Sequence, residues 1–314
     1  MGVSILILSI SFFLFYLGTQ FLIQAVFTTP PENDYNFTFS HLLKFSILLS
    51  TPAFMIGLAS IVTGDGGLVT GCLLGSNFFN LSVILGISAF IRPVNTSMNL
   101  NKCLILLLIG CSLIILFIFN DRVISRMEGG ILLLIFILFA TYNLLKQQSL
   151  IPSTFADTTA QVHLPARKWS NSAAYFGAGV FALVTGTWLL IANTRKLSMN
   201  FGFSSTQLGF IIVSAGIGIP LFINALRSNA KGRTEMVIGI VFLTSILNIL
   251  VVLGISSLVK PVIGYAISNF DLYAFVGFSL FQVQLLRKKF KLKKDEALFQ
   301  IIVYLMFLYY LLPK

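Results

Sequence analysis

The sequence carries very little charge for its length. Of its 314 residues, only 10% are Asp, Glu, Lys or Arg, whereas 57% are hydrophobic. An average soluble domain has about 25% charged residues, which cover its surface. The shortage of charge therefore excludes an ordinary soluble protein and indicates a chain whose exterior is solvated by lipid.

Cysteine and histidine are also scarce. Cys72, Cys103 and Cys111 lie in or beside apolar runs with no metal-ligand spacing, and their odd number argues against a disulfide framework. We interpret them as small core residues. The two histidines, His41 and His163, are far apart, and no Ser/His/Asp, Cys/His or HExxH arrangement occurs. The sequence thus predicts neither an enzyme nor a bound cofactor.

Hydrophobic runs dominate the rest of the chain. Many approach the roughly 20 residues that a helix needs to cross the hydrocarbon core. They predict an all-α membrane protein with about ten transmembrane helices. The first run is too long for a signal peptide and lacks a positive n-region, so we expect it to belong to the fold. The predicted spans are Val3–Phe27, Leu42–Val62, Leu68–Ile91, Cys103–Phe119, Gly129–Leu145, Ala173–Ala192, Gln207–Leu226, Met236–Leu258, Leu272–Leu286 and Ala297–Leu312.

The net charge of +11 is distributed in a way that argues against nucleic-acid binding. The densest basic stretch, Arg287–Lys294, joins two hydrophobic runs, and the other basic residues mark helix ends. If both termini lie outside, the cytoplasmic connections hold more than twice as many Lys and Arg residues as the other side. The positive-inside rule therefore predicts that orientation. Weak attraction to anionic lipid heads is a secondary role for the same charges.

The chain repeats itself at an offset of 168 residues. Apolar composition alone would not align proline and glycine at one fixed spacing. The aligned identities include Gly18 with Gly186, Pro52 with Pro220, Gly64 with Gly232, Gly71 with Gly239, Asn80 with Asn248, Gly86 with Gly254 and Pro93 with Pro261.

Each copy contains five predicted helices. We divide the chain into a first repeat, residues 1–146, a polar cytoplasmic linker, 147–168, and a second repeat, 169–314. Because five is odd, the second repeat must enter the membrane upside down. Inverted repeats are typical of secondary transporters, which bind their substrate near the midplane where the repeats meet.

Pro52 and Pro220 fall inside the second and seventh predicted spans. Proline removes a backbone donor and frees a carbonyl one turn earlier, and such breaks line ion paths in transporters. Two interpretations stay open, a hinge at the ion path or a structural kink.

A family resemblance follows from the residues around the first proline. The first repeat reads Ser50-Thr51-Pro52-Ala53, then Gly71-Cys72-Leu73-Leu74-Gly75-Ser76-Asn77-Phe78-Phe79-Asn80, then Val83-Ile84-Leu85-Gly86. This resembles the alpha repeat of the Na⁺/Ca²⁺ exchanger branch of the Ca²⁺:cation antiporter superfamily, G-T-S-x-P-E followed by G-N-x-x-G-S-N-x-x-N and V-L-G. The matching segments cover about 46–93 and, less closely, about 214–261.

The resemblance implies an exchanger-like fold in a bacterial inner membrane, with alternating access at an ion site between the repeats. In the family, a glutamate follows each motif proline, but here Ala53 and Leu221 stand there. Calcium takes six to eight oxygen ligands, usually with carboxylates among them. We therefore expect a degenerate member with altered or weakened cation specificity. There are two alternatives. One is a transport-inactive homologue with a structural or regulatory role, and the other is a Ca²⁺ antiporter with other ligands.

The candidate lining of the cation path is a set of polar residues near the two prolines. The alternative interpretation of these polar residues is that they form hydrogen bonds between helices, which are common in membrane bundles. All ten acidic residues fall in predicted loops or at helix ends, so Na⁺, Ca²⁺ or another cation would meet neutral groups. The oligomeric state stays open. The candidates are Ser50, Thr51, Ser76, Asn77, Asn80, Asn224, Thr244, Ser245 and Asn248.

Overall fold

A computed structural model of the chain describes residues 2–27, 38–95, 99–146, 169–264, 268–283 and 291–312. The predicted linker, 147–168, and residues 284–290, which include half of the basic stretch Arg287–Lys294, lie outside the described residues. The acidic residues Glu32, Asp34 and Asp157 lie outside them as well.

The described residues form ten helices, one for each predicted span, which confirms the predicted fold class. Seven of them, α1, α2, α3, α5, α6, α7 and α8, contain a stretch long and apolar enough to cross a membrane. The helices are α1 (Gly2–Val26), α2 (Phe39–Val62), α3 (Gly66–Ile91), α4 (Asn99–Ile118), α5 (Arg126–Lys146), α6 (Trp169–Phe201), α7 (Ser205–Ala230), α8 (Thr234–Val259), α9 (Asn269–Phe281) and α10 (Lys294–Leu311).

The 168-residue offset reappears in the backbone. Helices α3 and α8 begin and end at equivalent positions. Each changes to π-helical hydrogen bonding at an equivalent asparagine, over Asn80–Ile84 in α3 and over Asn248–Leu253 in α8. The turns before these helices also match, because Gly64 and Gly232 have φ angles of 81° and 78°, a left-handed region that favours glycine. The two halves of the chain are thus structural repeats.

Two short antiparallel ribbons join the repeats. Strand β1 (Val94–Asn95) pairs with β4 (Lys291–Leu292), and β2 (Val123–Ile124) pairs with β3 (Val262–Ile263). Among the described residues, six of the ten helices separate β1 from β4, and four separate β2 from β3. Both numbers are even, so each pair shares one membrane face if every helix crosses once. The pairing therefore agrees with ten crossings, including the short α9.

The repeats interlock through their helices rather than standing side by side. Helix α1 packs along its counterpart α6, while α3 packs on α7 and α8 packs on α2. A Cβ added to Gly18 would come 2.8 Å from Leu183 Cγ, and one added to Gly75 would come 2.7 Å from Phe210 Cα. Small residues permit such approach between membrane helices. These glycines serve close packing, and the packing brings the motif segments of both repeats together.

Candidate functional site

A small cavity lies where α2, α3, α7 and α8 meet. Its volume is about 10 Å³, roughly the room that one water molecule requires. Both positions that follow the helix prolines, Ala53 and Leu221, belong to its wall, so the two proline-containing helices meet there. The wall comprises Leu49, Ser50, Ala53, Ser76, Asn80, Ile217, Gly218, Leu221, Thr244 and Asn248.

Two reciprocal hydrogen bonds connect the repeats at this cavity. The Asn80 side-chain amide donates through Nδ2 to Ser245 Oγ at 3.3 Å. Its repeat counterpart Asn248 donates through Nδ2 to Ser76 Oγ at 3.0 Å. Each asparagine is the first residue of a π-helical turn, and π-turns inside α-helices are frequent at functional sites. Each repeat thus contributes one asparagine that donates a hydrogen bond to a serine of the other repeat.

Four neutral oxygens at the cavity lack a hydrogen-bond partner within the described part of the chain. They are Asn80 Oδ1, Asn248 Oδ1, Ser50 Oγ and Thr244 Oγ1, and all four are buried. An unpaired buried polar group is unfavourable by about 1–3 kcal/mol. Water or a cation in the cavity would supply the missing partners, and both repeats contribute two of the oxygens.

The hydroxyl of Thr51 has a structural role instead. Pro52 has no N–H, so the carbonyl one turn earlier, that of Leu48, loses its helical donor. Thr51 Oγ1 donates to this carbonyl oxygen at 2.6 Å, and Thr51 is absent from the cavity wall. The second repeat has Ile219 at the equivalent position, which has no hydroxyl to compensate for Pro220. The two proline sites are therefore chemically different.

The remaining candidates lie close to the cavity but outside its wall. Asn224 donates through Nδ2 to the carbonyl oxygen of Pro220 at 2.7 Å. Ser245 accepts the Asn80 amide, as described above. Asn77 is fully buried, and both polar atoms of its amide lack a partner among the described residues. The structure thus brings Ser50, Ser76, Asn80, Thr244 and Asn248 into one wall, and it leaves Thr51, Asn77, Asn224 and Ser245 behind that wall.

Residues that the sequence interpretation missed are apolar. Leu49, Ile217 and Gly218 complete the wall. The repeat offset was the available signal, because Ile217 and Gly218 stand 168 residues after Leu49 and Ser50.

The described carboxylates lie at helix ends, as predicted, and none of them lines the cavity. Asp65 caps α3 by accepting the Leu68 N–H at 2.9 Å, and Glu128 accepts the Ser125 N–H at 2.7 Å. Among the described residues, no group of three or more His, Cys, Asp or Glu side chains could hold a metal ion. The cavity wall is therefore uncharged, with its polar half formed by neutral side chains.

Comparisons with known proteins identify relatives of the chain. The family model described as sodium/calcium exchanger protein matches residues 3–145 and 171–312. The chain is 26% identical over 219 residues to the inner membrane protein YrbG of Escherichia coli K12, covering 69% of this chain and 67% of that protein. It is 27% identical over 235 residues to the putative antiporter CaxA of Alkalimonas amylolytica, covering 74% and 73%.

A solved structure gives the same picture of the fold. The sodium-calcium exchanger NCX_Mj, soaked with 2.5 mM Na⁺ and 0.1 mM Ca²⁺, superposes with a TM-score of 0.66 at 18% sequence identity, over 97% of each chain. At this identity the likeness shows the fold alone.

Proposed function

The chain belongs to the sodium/calcium exchanger protein family, and from that premise we propose that it is a cation-antiporter-type transporter whose ion is monovalent. The supporting observation is the set of unpaired neutral oxygens at the cavity between the repeats. They surround the positions where Ala53 and Leu221 replace the family's two glutamates. The ion we propose is Na⁺, bound without a carboxylate.

The charge of the ion decides between Na⁺ and Ca²⁺. The electrostatic cost of removing an ion from water rises with the square of its charge, so a divalent ion costs about four times as much as a monovalent ion of the same size. Carbonyl and hydroxyl oxygens suffice for monovalent cations, as the carbonyl rings of K⁺ filters illustrate. Calcium normally requires carboxylates among its six to eight oxygen ligands. Neutral oxygens therefore favour the monovalent ion.

A second candidate function is a transport-inactive homologue with a structural or regulatory role in the membrane. The observation that favours it is the size of the cavity, about 10 Å³, together with the apolar half of its wall. Leu49, Ile217 and Leu221 occupy space that ligand side chains would need. An inactive protein would move neither Na⁺ nor Ca²⁺.

Transport by the purified protein in liposomes separates these functions. We expect exchange of radioactive Na⁺ across the membrane and no Na⁺-driven Ca²⁺ uptake above that of empty vesicles. Removing both unpaired amide oxygens, Asn80→Ala with Asn248→Ala, should abolish the Na⁺ movement. The matched control is Asn143→Ala on α5, because the Asn143 amide donates within its own helix, to the Phe139 carbonyl oxygen.

Robust Na⁺-driven Ca²⁺ uptake by the unmodified protein would contradict the proposal. If the folded protein moves neither ion, the inactive homologue is the better interpretation.

The location of the protein is the other part of the proposal. One relative is named an inner membrane protein of Escherichia coli, which supports placement in a bacterial inner membrane. The excess of Lys and Arg on one set of connections supports both termini outside and the loop 287–294 in the cytoplasm.

A further inference from the structure

The charge of the cavity between the repeats depends only on its occupant. All ten described residues that line the cavity have neutral side chains. Ala53 and Leu221 are buried, and they place apolar groups at the two wall positions that follow the helix prolines. The site is therefore neutral when it holds water and carries one positive charge when it holds a monovalent cation.

Water satisfies the site when no ion is bound. The cavity has a volume of about 10 Å³, roughly the room that one water molecule requires. Asn80 and Asn248 donate through Nδ2 to serines of the opposite repeat, and this leaves each Oδ1 as an acceptor for an occupant. The hydroxyls of Ser50 and Thr244 also lack a partner among the described residues. Two acceptors and two hydroxyl donors match the hydrogen-bonding capacity of one water molecule.

The neutral wall lowers the energy that the ion-free protein needs to change its accessible side. A carboxylate without its cation is strongly unfavourable in a low-dielectric interior. A wall that contained one would have to be loaded before the protein changed sides, and transport would then be obligatory exchange. A neutral wall that holds water has no such penalty, so the ion-free protein can return without a counter-ion.

The ion-loaded protein responds differently to the membrane potential. A cation among these neutral side chains keeps its full positive charge, because no carboxylate of the described residues lines the cavity. Movement of that charge across the membrane is favoured or opposed by the potential. The loaded step therefore responds to the potential, whereas the ion-free step moves no charge of the site.

We propose that the protein carries Na⁺ as a uniporter, driven by the membrane potential and without obligatory exchange for a second ion. In each cycle, one Na⁺ crosses with one net positive charge, and the water-filled site returns uncharged. Exchange of Na⁺ for Na⁺ also occurs, because the loaded protein returns as well. This coupling rests on the proposed function, in which a monovalent cation binds in the cavity.

Two flux measurements on the purified protein in liposomes test the coupling. The first follows radioactive Na⁺ at equal Na⁺ concentrations on both sides, and it reports exchange alone. The second follows net uptake into Na⁺-free liposomes with an outward K⁺ gradient of about tenfold, before and after valinomycin makes the inside negative. We expect exchange in the first. In the second, we expect valinomycin-dependent uptake, above that of empty liposomes, which accumulates Na⁺ about tenfold because one charge moves through the potential.

A carboxylate in the wall should restore obligatory exchange. In Leu221→Glu the ion-free site must cross charged, which is slow, or take up a proton, in which case the cycle moves no net charge. The ratio of valinomycin-dependent uptake to exchange should therefore fall by about tenfold or more. Leu221→Gln is the matched control, because it has nearly the same shape without the charge and should keep the ratio even if both rates fall. Ala53→Glu and Ala53→Gln give the same comparison if Leu221→Glu does not fold.

The two measurements separate failure of the coupling from failure of the proposed function. Exchange without valinomycin-dependent uptake would overturn the uniport and leave the proposed function standing. Equal ratios in the Glu and Gln variants would also overturn it, because the charge of the wall would then not set the coupling. If the folded protein shows neither exchange nor uptake, the proposed function fails and the uniport fails with it.

Discussion

Glutamates placed after both helix prolines should convert the neutral cavity into a Ca²⁺ site. The side chains of Ala53 and Leu221 are 4% and 1% exposed, and both line the cavity with the unpaired oxygens. A carboxylate near a helix centre is unfavourable by roughly 2.5–3.5 kcal/mol on insertion scales. Without Ca²⁺, Ala53→Glu with Leu221→Glu should therefore be destabilised by up to about 7 kcal/mol. A proton shared between the two carboxylates reduces this penalty.

Calcium should recover part of the lost stability. A ligand at 100 times its Kd stabilises the folded state by about 2.7 kcal/mol, so the Tm of the double variant should rise on addition of Ca²⁺. Each single variant should respond less, because one carboxylate offsets only part of a divalent charge. The assay is thermal unfolding of the purified protein with and without Ca²⁺. The control is Ala53→Gln with Leu221→Gln, which has nearly the same shape without the charge and should not respond.

Two results would refute this reasoning. An equally large Ca²⁺-dependent rise in the Tm of the unmodified protein would mean that its neutral oxygens already bind the divalent ion. A folded double-glutamate variant without any response to Ca²⁺ would mean that the two positions cannot hold one ion between them.

Two other predictions concern packing and orientation. Gly75→Leu should lower the yield of folded protein on size-exclusion chromatography, because even a Cβ would come 2.7 Å from Phe210 Cα. The control Gly110→Leu, at an open position, should leave the yield unchanged. Equal yields of the two variants would contradict the packing described. In a Cys103→Ala background, Lys289→Cys should react with an impermeant maleimide only after the membrane is opened. Reaction from outside in intact cells would invert the orientation.

The sequence predicted the helices and the repeat because both leave strong linear signals. The length of each hydrophobic run predicts a membrane span, and the aligned prolines and glycines reveal the 168-residue repeat. The ribbons between the repeats left no such signal, since two-residue strands such as β1 and β4 are too short for alternation. The π-helical turns at Asn80 and Asn248 were unpredicted for a similar reason, because they depend on packing and not on a residue pattern.

The site was predicted as a set of polar residues but not as an arrangement. Ser50 and Thr51 are neighbours in sequence, yet successive side chains point about 100° apart around a helix. Ser50 therefore reaches the cavity wall, whereas Thr51 donates to the Leu48 carbonyl oxygen. Which of two adjacent hydroxyls meets the cavity depends on the rotation of the helix, and the sequence alone does not specify that rotation.

The polar residues of the cavity wall bear on whether the cavity binds an ion. The bonds from Asn80 to Ser245 and from Asn248 to Ser76 tie the repeats together, and a purely structural interface would need nothing more. Yet the amide oxygen of each asparagine is buried without a hydrogen-bond partner among the described residues, which is unfavourable by about 1–3 kcal/mol. Leucine already occupies one glutamate position in the same wall, at Leu221, so apolar packing is accommodated there. The small polar occupant that we propose, water or a monovalent cation, would supply hydrogen-bond partners or ligands for these two oxygens.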